Sequence, residues 1–325
     1  MKEDPKQIDL WNFTAQQDAT FTNASMIEGK RMQRFNASSS GGPAFPTPSQ
    51  IAKLRLILST YQDGTGQLAA PNGMTLPGWR DFERAVAAAF EGQAQESKYV
   101  FDVIVPSQEV LDTYGISCKM RGELNKAVDR VNRSGLTVKG RISIELSNSA
   151  KYFWNQLKTR GINESNYRNK PEETGIALIE LVKSWHDAVS IQNGGVINLH
   201  KSFYFVLSWD RKGSYQLHQF VITLPDPKAL HWHFPTKIGK NRQEEPAVRL
   251  SGDDEYGPLF EWYGDTGGQL KYYPLVQDAI WTSDIFQLEP LPASDELEYG
   301  VVAKARTYFP HQWETALDND KFASK

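Results

Sequence analysis

Between Gly78 and Phe90 the apolar residues Trp79, Phe82, Val86, Ala89 and Phe90 recur three to four apart, which predicts a helix with one buried face. Glu83 flanks that face. From Tyr99 to Val105 the period falls to two. Tyr99, Phe101, Val103 and Val105 alternate with Val100, Asp102 and Ile104, so a strand apolar on both faces except at Asp102 is expected. Gly115 to Met120 keeps the strand period and sets Ser117 and Lys119 on one face, with Cys118 on the other.

Helical spacing also marks Gln50 to Tyr61 (Ile51, Leu54, Ile57, Leu58), Gly122 to Arg133 (Leu124, Val128, Val131), Ala150 to Arg160 (Tyr152, Phe153, Trp154, Leu157) and Ile176 to Val189 (Leu178, Leu181, Val182, Trp185). Ser202–Trp209 and Tyr215–Thr223 then read as a hairpin turned by Asp210-Arg211-Lys212-Gly213. Beyond Pro225, Gly and Pro become frequent among clustered aromatics, which predicts short strands and long loops. Residues 1–37 show no clear period, and 38–49 have the composition of a flexible connection. The pattern divides the chain into an N-terminal arm and linker (1–50), a core of strands and helices (51–224) and a β/loop-rich C-terminal region (225–325), the last read either as separate or as part of the same domain as the core. The expected class is α/β in the α+β sense, a central mixed sheet flanked by helices.

The chemistry sits where the pattern breaks. A lone carboxylate at Asp102 is costly to bury unless a cation meets it. The hydroxyl of Ser117 and the amine of Lys119 come from the adjacent predicted strand, and Glu83 from the helix before it. An acid, a hydroxyl and an ammonium converging from three elements suit divalent-metal chemistry on a phosphodiester. Carboxylates hold Mg²⁺ through hard oxygens, and the ion stabilises phosphate charge and makes hydroxide from water.

The order is Phe82-Glu83-x-x-Val86-Ala87-x-x-Phe90, then a strand with Asp102, then a strand ending Ser117-x-Lys119. It resembles the core of the PD-(D/E)xK nucleases, the restriction-endonuclease-like superfamily, over Gly78 to Met120 of the 325 residues. Phe101 stands where that pattern has Pro, and Ser117 where it has Asp or Glu. The Ser-x-Lys form is similar to that of some type II restriction enzymes, which recruit a helical glutamate; Glu83 is the natural substitute, with Glu123 and Glu145 behind it. The resemblance implies a restriction-endonuclease-like fold and a Mg²⁺-dependent type II restriction endonuclease cutting double-stranded DNA as a homodimer. It implies catalytic Asp102, Lys119, Glu83 and Ser117, and a metal held by Asp102 and Glu83. A repair or junction nuclease of the same fold is chemically similar. The rival from another class is a noncatalytic protein whose C-terminal aromatics engage carbohydrate or peptide.

Charge and composition refine the picture. The net charge of −3 hides an uneven distribution: Lys119 to Lys170 holds twelve Lys or Arg against four acids, whereas Asp253 to Glu298 holds eleven acids against Lys271. The basic run lies where a phosphate backbone would be held, so Arg121, Lys126, Arg130 and Arg133 become candidate phosphate contacts and Asn148 and Ser149 candidate base readers, although helix capping suits the last two as well. The 40 % hydrophobic and 23 % charged content is that of a globular chain. One cysteine excludes an internal disulfide framework and a cysteine zinc cluster, and Cys118 reads as a core thiol. The absence of an apolar leader or membrane-length run leads to a cytoplasmic expectation. His231 and His233 could hold a metal, but lack a third ligand nearby in sequence and read as a structural pair.

Overall fold

The computed structural model describes residues 42–69, 74–95, 100–107, 110–131, 135, 137–146, 150–238, 244–264, 268–292 and 300–323. The N-terminal arm, Tyr99, Arg133, Asn148 and Ser149 lie outside them. The described residues form a mixed α+β structure with six helices and a mixed central sheet. They gather into two compact units: those of 1–124, 189–222 and 280–325 form one, and those of 125–188 and 223–279 the other. The division falls at 124/125, 188/189, 222/223 and 279/280, so each unit is assembled from segments distant in the chain.

The first unit is built on a seven-stranded sheet. Strand β1 (Gln93–Ala94) pairs antiparallel with β2 (Val103–Val105), and β2 with β3 (Tyr114–Arg121). The next neighbour, β5 (Phe203–Trp209), runs parallel to β3, with Ser117 opposite Tyr204 and Lys119 opposite Val206. Strand β6 (Ser214–Val221) completes the hairpin with β5 and also takes β11 (Trp281–Thr282) and β12 (Phe286–Gln287). In the hairpin turn Asp210 Oδ1 accepts the N–H groups of Lys212 and Ser214, and Gly213 supplies the positive φ the turn requires.

One face of this sheet is the core. Val103, Val105, Ile116, Cys118, Phe203, Phe205, Leu207, Tyr215 and Leu217 pack there with Leu54, Ile57, Phe82, Val86, Phe90, Phe309 and Trp313. Helix α1 (Pro48–Thr60) starts two residues before the expected Gln50, because Pro48 is preorganised at its first turn and Thr47 and Gln50 cap each other reciprocally. Helix α2 (Trp79–Ala89) is fixed at its start by buried Asp81, whose carboxylate accepts the N–H of Gly78 at 2.8 Å and of Gln67 at 2.9 Å.

The second unit carries helices α3 (Ala150–Thr159) and α4 (Pro171–Val189, save its last residue) and an antiparallel five-stranded sheet. Its strands are β4 (Ile144–Glu145), β7 (His231–His233), β8 (Leu250–Asp254), β9 (Gly257–Tyr263) and β10 (Gln269–Tyr272), in the order β7-β8-β9-β10-β4. Trp262 is fully buried among Phe153, Trp154 and Tyr167. The indole of Trp232 lies against Gly175 of α4 and Gly252 of β8, where any Cβ would fall within 3 Å of its ring.

Two expectations are corrected. The helix read over 122–133 is a single turn of 3-10 helix (Leu124–Lys126) followed by a two-stranded ribbon of Arg130–Val131 and Thr137–Val138. Gly122 and Gly140 and the β-branched Val128, Val131, Thr137 and Val138 disfavour a helix there, and Asp129 accepts the Gly140 N–H at 2.8 Å to close the turn. The C-terminal region is not β/loop-rich throughout: Val301–Tyr308 (α5) and Pro310–Ala323 (α6) are helices, and Ala305, Phe309 and Trp313 join the core of the first unit at helical spacing. No described helix is long and apolar enough to cross a membrane.

Candidate functional site

The break in the apolar pattern at Asp102 is also the centre of a polar cluster. Asp102 lies one residue before β2 and keeps the ladder, its N–H donating to Ile116 O at 3.1 Å. Its side chain projects away from the helical core, toward the β3 face that carries Ser117 and Lys119. Oδ2 of Asp102 accepts three donors: the Cys118 backbone N–H at 2.7 Å, Lys119 Nζ at 2.9 Å and Ser117 Oγ at 3.2 Å. Strand alternation brings these together, because one strand presents residues 117 and 119 on the same side and offers the N–H of 118 between them.

Oδ1 accepts no hydrogen bond from any described residue, and the side chain is 26 % exposed. The carboxylate is therefore anchored through one oxygen and open at the other. Lys119 Nζ also donates to Cys118 O at 3.0 Å, which puts a backbone carbonyl beside the same ammonium. Ser117 is buried, so its hydroxyl serves to orient the acid.

Glu83 projects from α2, half-buried, one turn beyond exposed Trp79. Cys118 of β3 turns its thiol into the core. Burial pushes that thiol well up, the Asp102 carboxylate pushes it further, Lys119 opposes, and Glu83 adds to the rise. Cys118 is thus a protonated core thiol, as the alternation implied, and the two expected metal-binding carboxylates both act on it.

Comparison of the chain with protein-family models, curated proteins and solved structures finds no match.

Among the described residues no three His, Cys, Asp or Glu side chains gather as metal ligands. A cation beside Asp102 would rest on its Oδ1, on Glu83, on backbone oxygen and on water. That sparse oxygen set suits Mg²⁺, which keeps several waters and takes one or two carboxylates plus substrate phosphate. Of the reserve acids, Glu123 follows β3 in the first unit, and Glu145 belongs to the sheet of the second unit, opposite Lys271.

The DNA-binding candidates divide. Arg121 ends β3 two residues beyond Lys119 and is half-buried, while Lys126 and Arg130 are exposed in the second unit. Arg133, Asn148 and Ser149 lie outside the described residues. Much of the basic run is matched by acids: Lys139 with Asp129, Arg141 with Asp254, Lys158 with Glu164, Arg160 with Glu180 and Lys170 with Glu173. These pairs narrow the cationic surface left for phosphate. His231 and His233 stack at 4.8 Å between ring centroids. Trp232, Phe260, Trp262, Tyr272, Trp281 and Phe286, which a sugar-binding surface would need outside, are buried.

Two contributors escape sequence reasoning: the Cys118 N–H and carbonyl. Backbone groups carry no residue signature. The signal that could have found them is the strand alternation, which forces the amide of residue 118 between side chains 117 and 119.

Proposed function

We propose that the protein is a Mg²⁺-dependent type II restriction endonuclease hydrolysing double-stranded DNA at a specific sequence, with a restriction-endonuclease-like core. The observation that carries this reading is the meeting of Asp102, Ser117 and Lys119 across two neighbouring strands, with one carboxylate oxygen left open. The sheet supports it: a helix, three antiparallel strands and then a parallel neighbour, β5, is the order such a core uses to place an acid and an acid-x-Lys strand side by side.

When bound, Mg²⁺ would supply charge stabilisation at the phosphate and lower the pKa of a coordinated water. Asp102 would hold the ion through Oδ1 while its three donors keep Oδ2 in place, and Glu83 would supply the oxygen that Ser117 does not. Lys119, held at 2.9 Å from Asp102, would orient the attacking water and donate to a phosphate oxygen. The water oxygen forms the new P–O bond as the bridging P–O bond breaks, and the leaving oxygen takes up a proton. One such site serves one strand, so cutting both calls for a two-fold homodimer on a palindromic target.

The test is incubation of plasmid and phage DNA with the protein and Mg²⁺. Discrete fragments that vanish for Asp102→Ala and Lys119→Ala support the reading, and intact DNA at high enzyme concentration overturns it.

A further inference from the structure

The edge strand β7 of the second unit carries a pair of imidazoles that the cleavage chemistry does not use. Trp232 at its centre is buried against Gly175 and Gly252, so strand alternation turns the residues on either side, His231 and His233, to the opposite face. The two rings stack with centroids 4.8 Å apart and planes 22° apart. His231 is exposed and His233 partly so.

Pairing with β8 adds a carboxylate to that face. His231 lies opposite Asp253, Trp232 opposite Gly252 and His233 opposite Ser251. Asp253 and Ser251 therefore stand on the side of the histidines, and Ser251 Oγ donates to Asp253 Oδ1 at 2.5 Å. Oδ2 of Asp253 accepts no hydrogen bond from any described residue. His233 Nδ1 lies 3.4 Å from the carbonyl oxygen of His231. A carbonyl only accepts, so this contact puts the ring proton on Nδ1 and leaves the lone pair on Nε2. Neither that Nε2 nor the ring of His231 bonds to a described residue.

Metal-ligating histidines characteristically donate their other N–H to a carbonyl or carboxylate, and the carboxylates around them are themselves hydrogen-bonded. Both features are present here. The sequence offers the pair no third ligand nearby, whereas the sheet brings Asp253 from the next strand. Among the described residues no three such side chains gather as direct ligands, which places the carboxylate one hydrogen bond further out.

We propose that His231 and His233 chelate a late first-row transition-metal ion of the Cu²⁺/Zn²⁺ class, with water completing its shell and Asp253 accepting from a coordinated water. The assignment is independent of the nuclease reading. Imidazole nitrogen suits Cu²⁺ and Zn²⁺, and the Irving–Williams order puts Cu²⁺ first; the hard Mg²⁺ proposed for Asp102 and Glu83 prefers oxygen.

The experiment is calorimetric titration of the full chain with Zn²⁺ and, separately, with Cu²⁺, in an excess of Mg²⁺ that keeps Asp102 and Glu83 out of competition. The wild type is compared with His231→Gln, His233→Gln and Asp253→Asn, each checked for folding by circular dichroism. The expected result is Cu²⁺ bound more tightly than Zn²⁺, at least about a hundredfold more weakly in either histidine variant, and roughly tenfold more weakly in Asp253→Asn, as for loss of an outer-shell partner. Electron paramagnetic resonance of the Cu²⁺ complex is expected to show two coordinated imidazoles in the wild type and one in each histidine variant. The wild-type spectrum carries the test by itself if a variant fails to fold. Binding unchanged in both histidine variants overturns the proposal, as does a wild-type spectrum with fewer than two imidazoles, or a wild-type chain that takes up neither ion. An Asp253→Asn chain that binds like the wild type refutes the part assigned to the carboxylate.

Discussion

Asp102→Asn separates a catalytic acid from a structural one, because it preserves shape and removes charge. The new amide keeps an oxygen for the Cys118 N–H and the Ser117 hydroxyl, which now lie at 2.7 and 3.2 Å from Oδ2. What it loses is the anion facing Lys119 at 2.9 Å, where the two side chains are 26 % and 18 % exposed. A hydrogen bond to a charged group contributes about 1.5–3 kcal/mol. Partial solvent access puts the expected loss toward the low end, about 2 kcal/mol, or a fall in Tm of roughly 5 °C for a unit of this size. Loss of the open oxygen that would anchor the metal is expected to lower the cleavage rate by at least about 10³-fold, some 4 kcal/mol of transition-state stabilisation. Supercoiled-plasmid nicking in Mg²⁺, normalised to folded protein by circular dichroism, reads the second quantity, and thermal melting reads the first. Cleavage within a few-fold of wild type, alongside a large fall in Tm, would assign the cluster to structure and refute the reasoning.

Glu83→Gln should depress cleavage at least about a hundredfold with little change in Tm, since its carboxylate is half-buried at the helix surface; near-normal cutting would move the second ligand to Glu123 or Glu145. Lys304→Met should destabilise by about 2 kcal/mol in denaturant titration, because the ammonium pairs with Asp63 Oδ2 at 2.6 Å with both side chains nearly buried, while Oδ1 keeps the Thr65 N–H and hydroxyl. Burial lowers the imidazoles of His186 and His218 to about 4 from 6.5, so both fold neutral. The unfolded chain binds the extra protons between those values, so stability is full above about pH 6.5 and falls toward pH 4 by up to about 1.4 kcal/mol per pH unit for each group. His218→Phe, which also removes a buried Nε2 with no partner, should take its share out of that slope, and melts at pH 7 and pH 5 that diverge as much as those of the wild type would count against it. Gly175→Ala should destabilise by about 1–3 kcal/mol, because the methyl would meet the Trp232 ring; an unchanged Tm would mean that α4 yields without penalty.

The candidate site was legible because its parts interrupt otherwise unbroken apolar periods. Asp102 is the one charge in the strand expected over 99–105, and the alternation of Ser117, Cys118 and Lys119 fixes their faces with no tertiary knowledge. The hairpin from Phe203 to Val221 was equally clear, since Asp210 and Gly213 do local work that any context preserves. Helix 122–133 misled because a thin stripe of Leu124, Val128 and Val131 satisfies a period of 3.6, while the glycines at its flanks and the Asp129 cap decide the conformation. Helices α5 and α6 were masked by the Gly- and Pro-rich stretch before them, though Val301, Ala305, Phe309 and Trp313 stand four apart.

The route of the chain bears on how the protein is made. A ribosome releases β3 long before β5, with all of 125–188 between them, and the segments that finish the same sheet and cover its apolar face, 281–287 and 301–323, emerge only after 223–279. Nascent chains must therefore keep an unpaired strand edge and a bare row of Phe203, Phe205 and Leu207 out of trouble until those segments have emerged. A stop codon anywhere before residue 281 would then release an aggregation-prone fragment in place of a folded first unit.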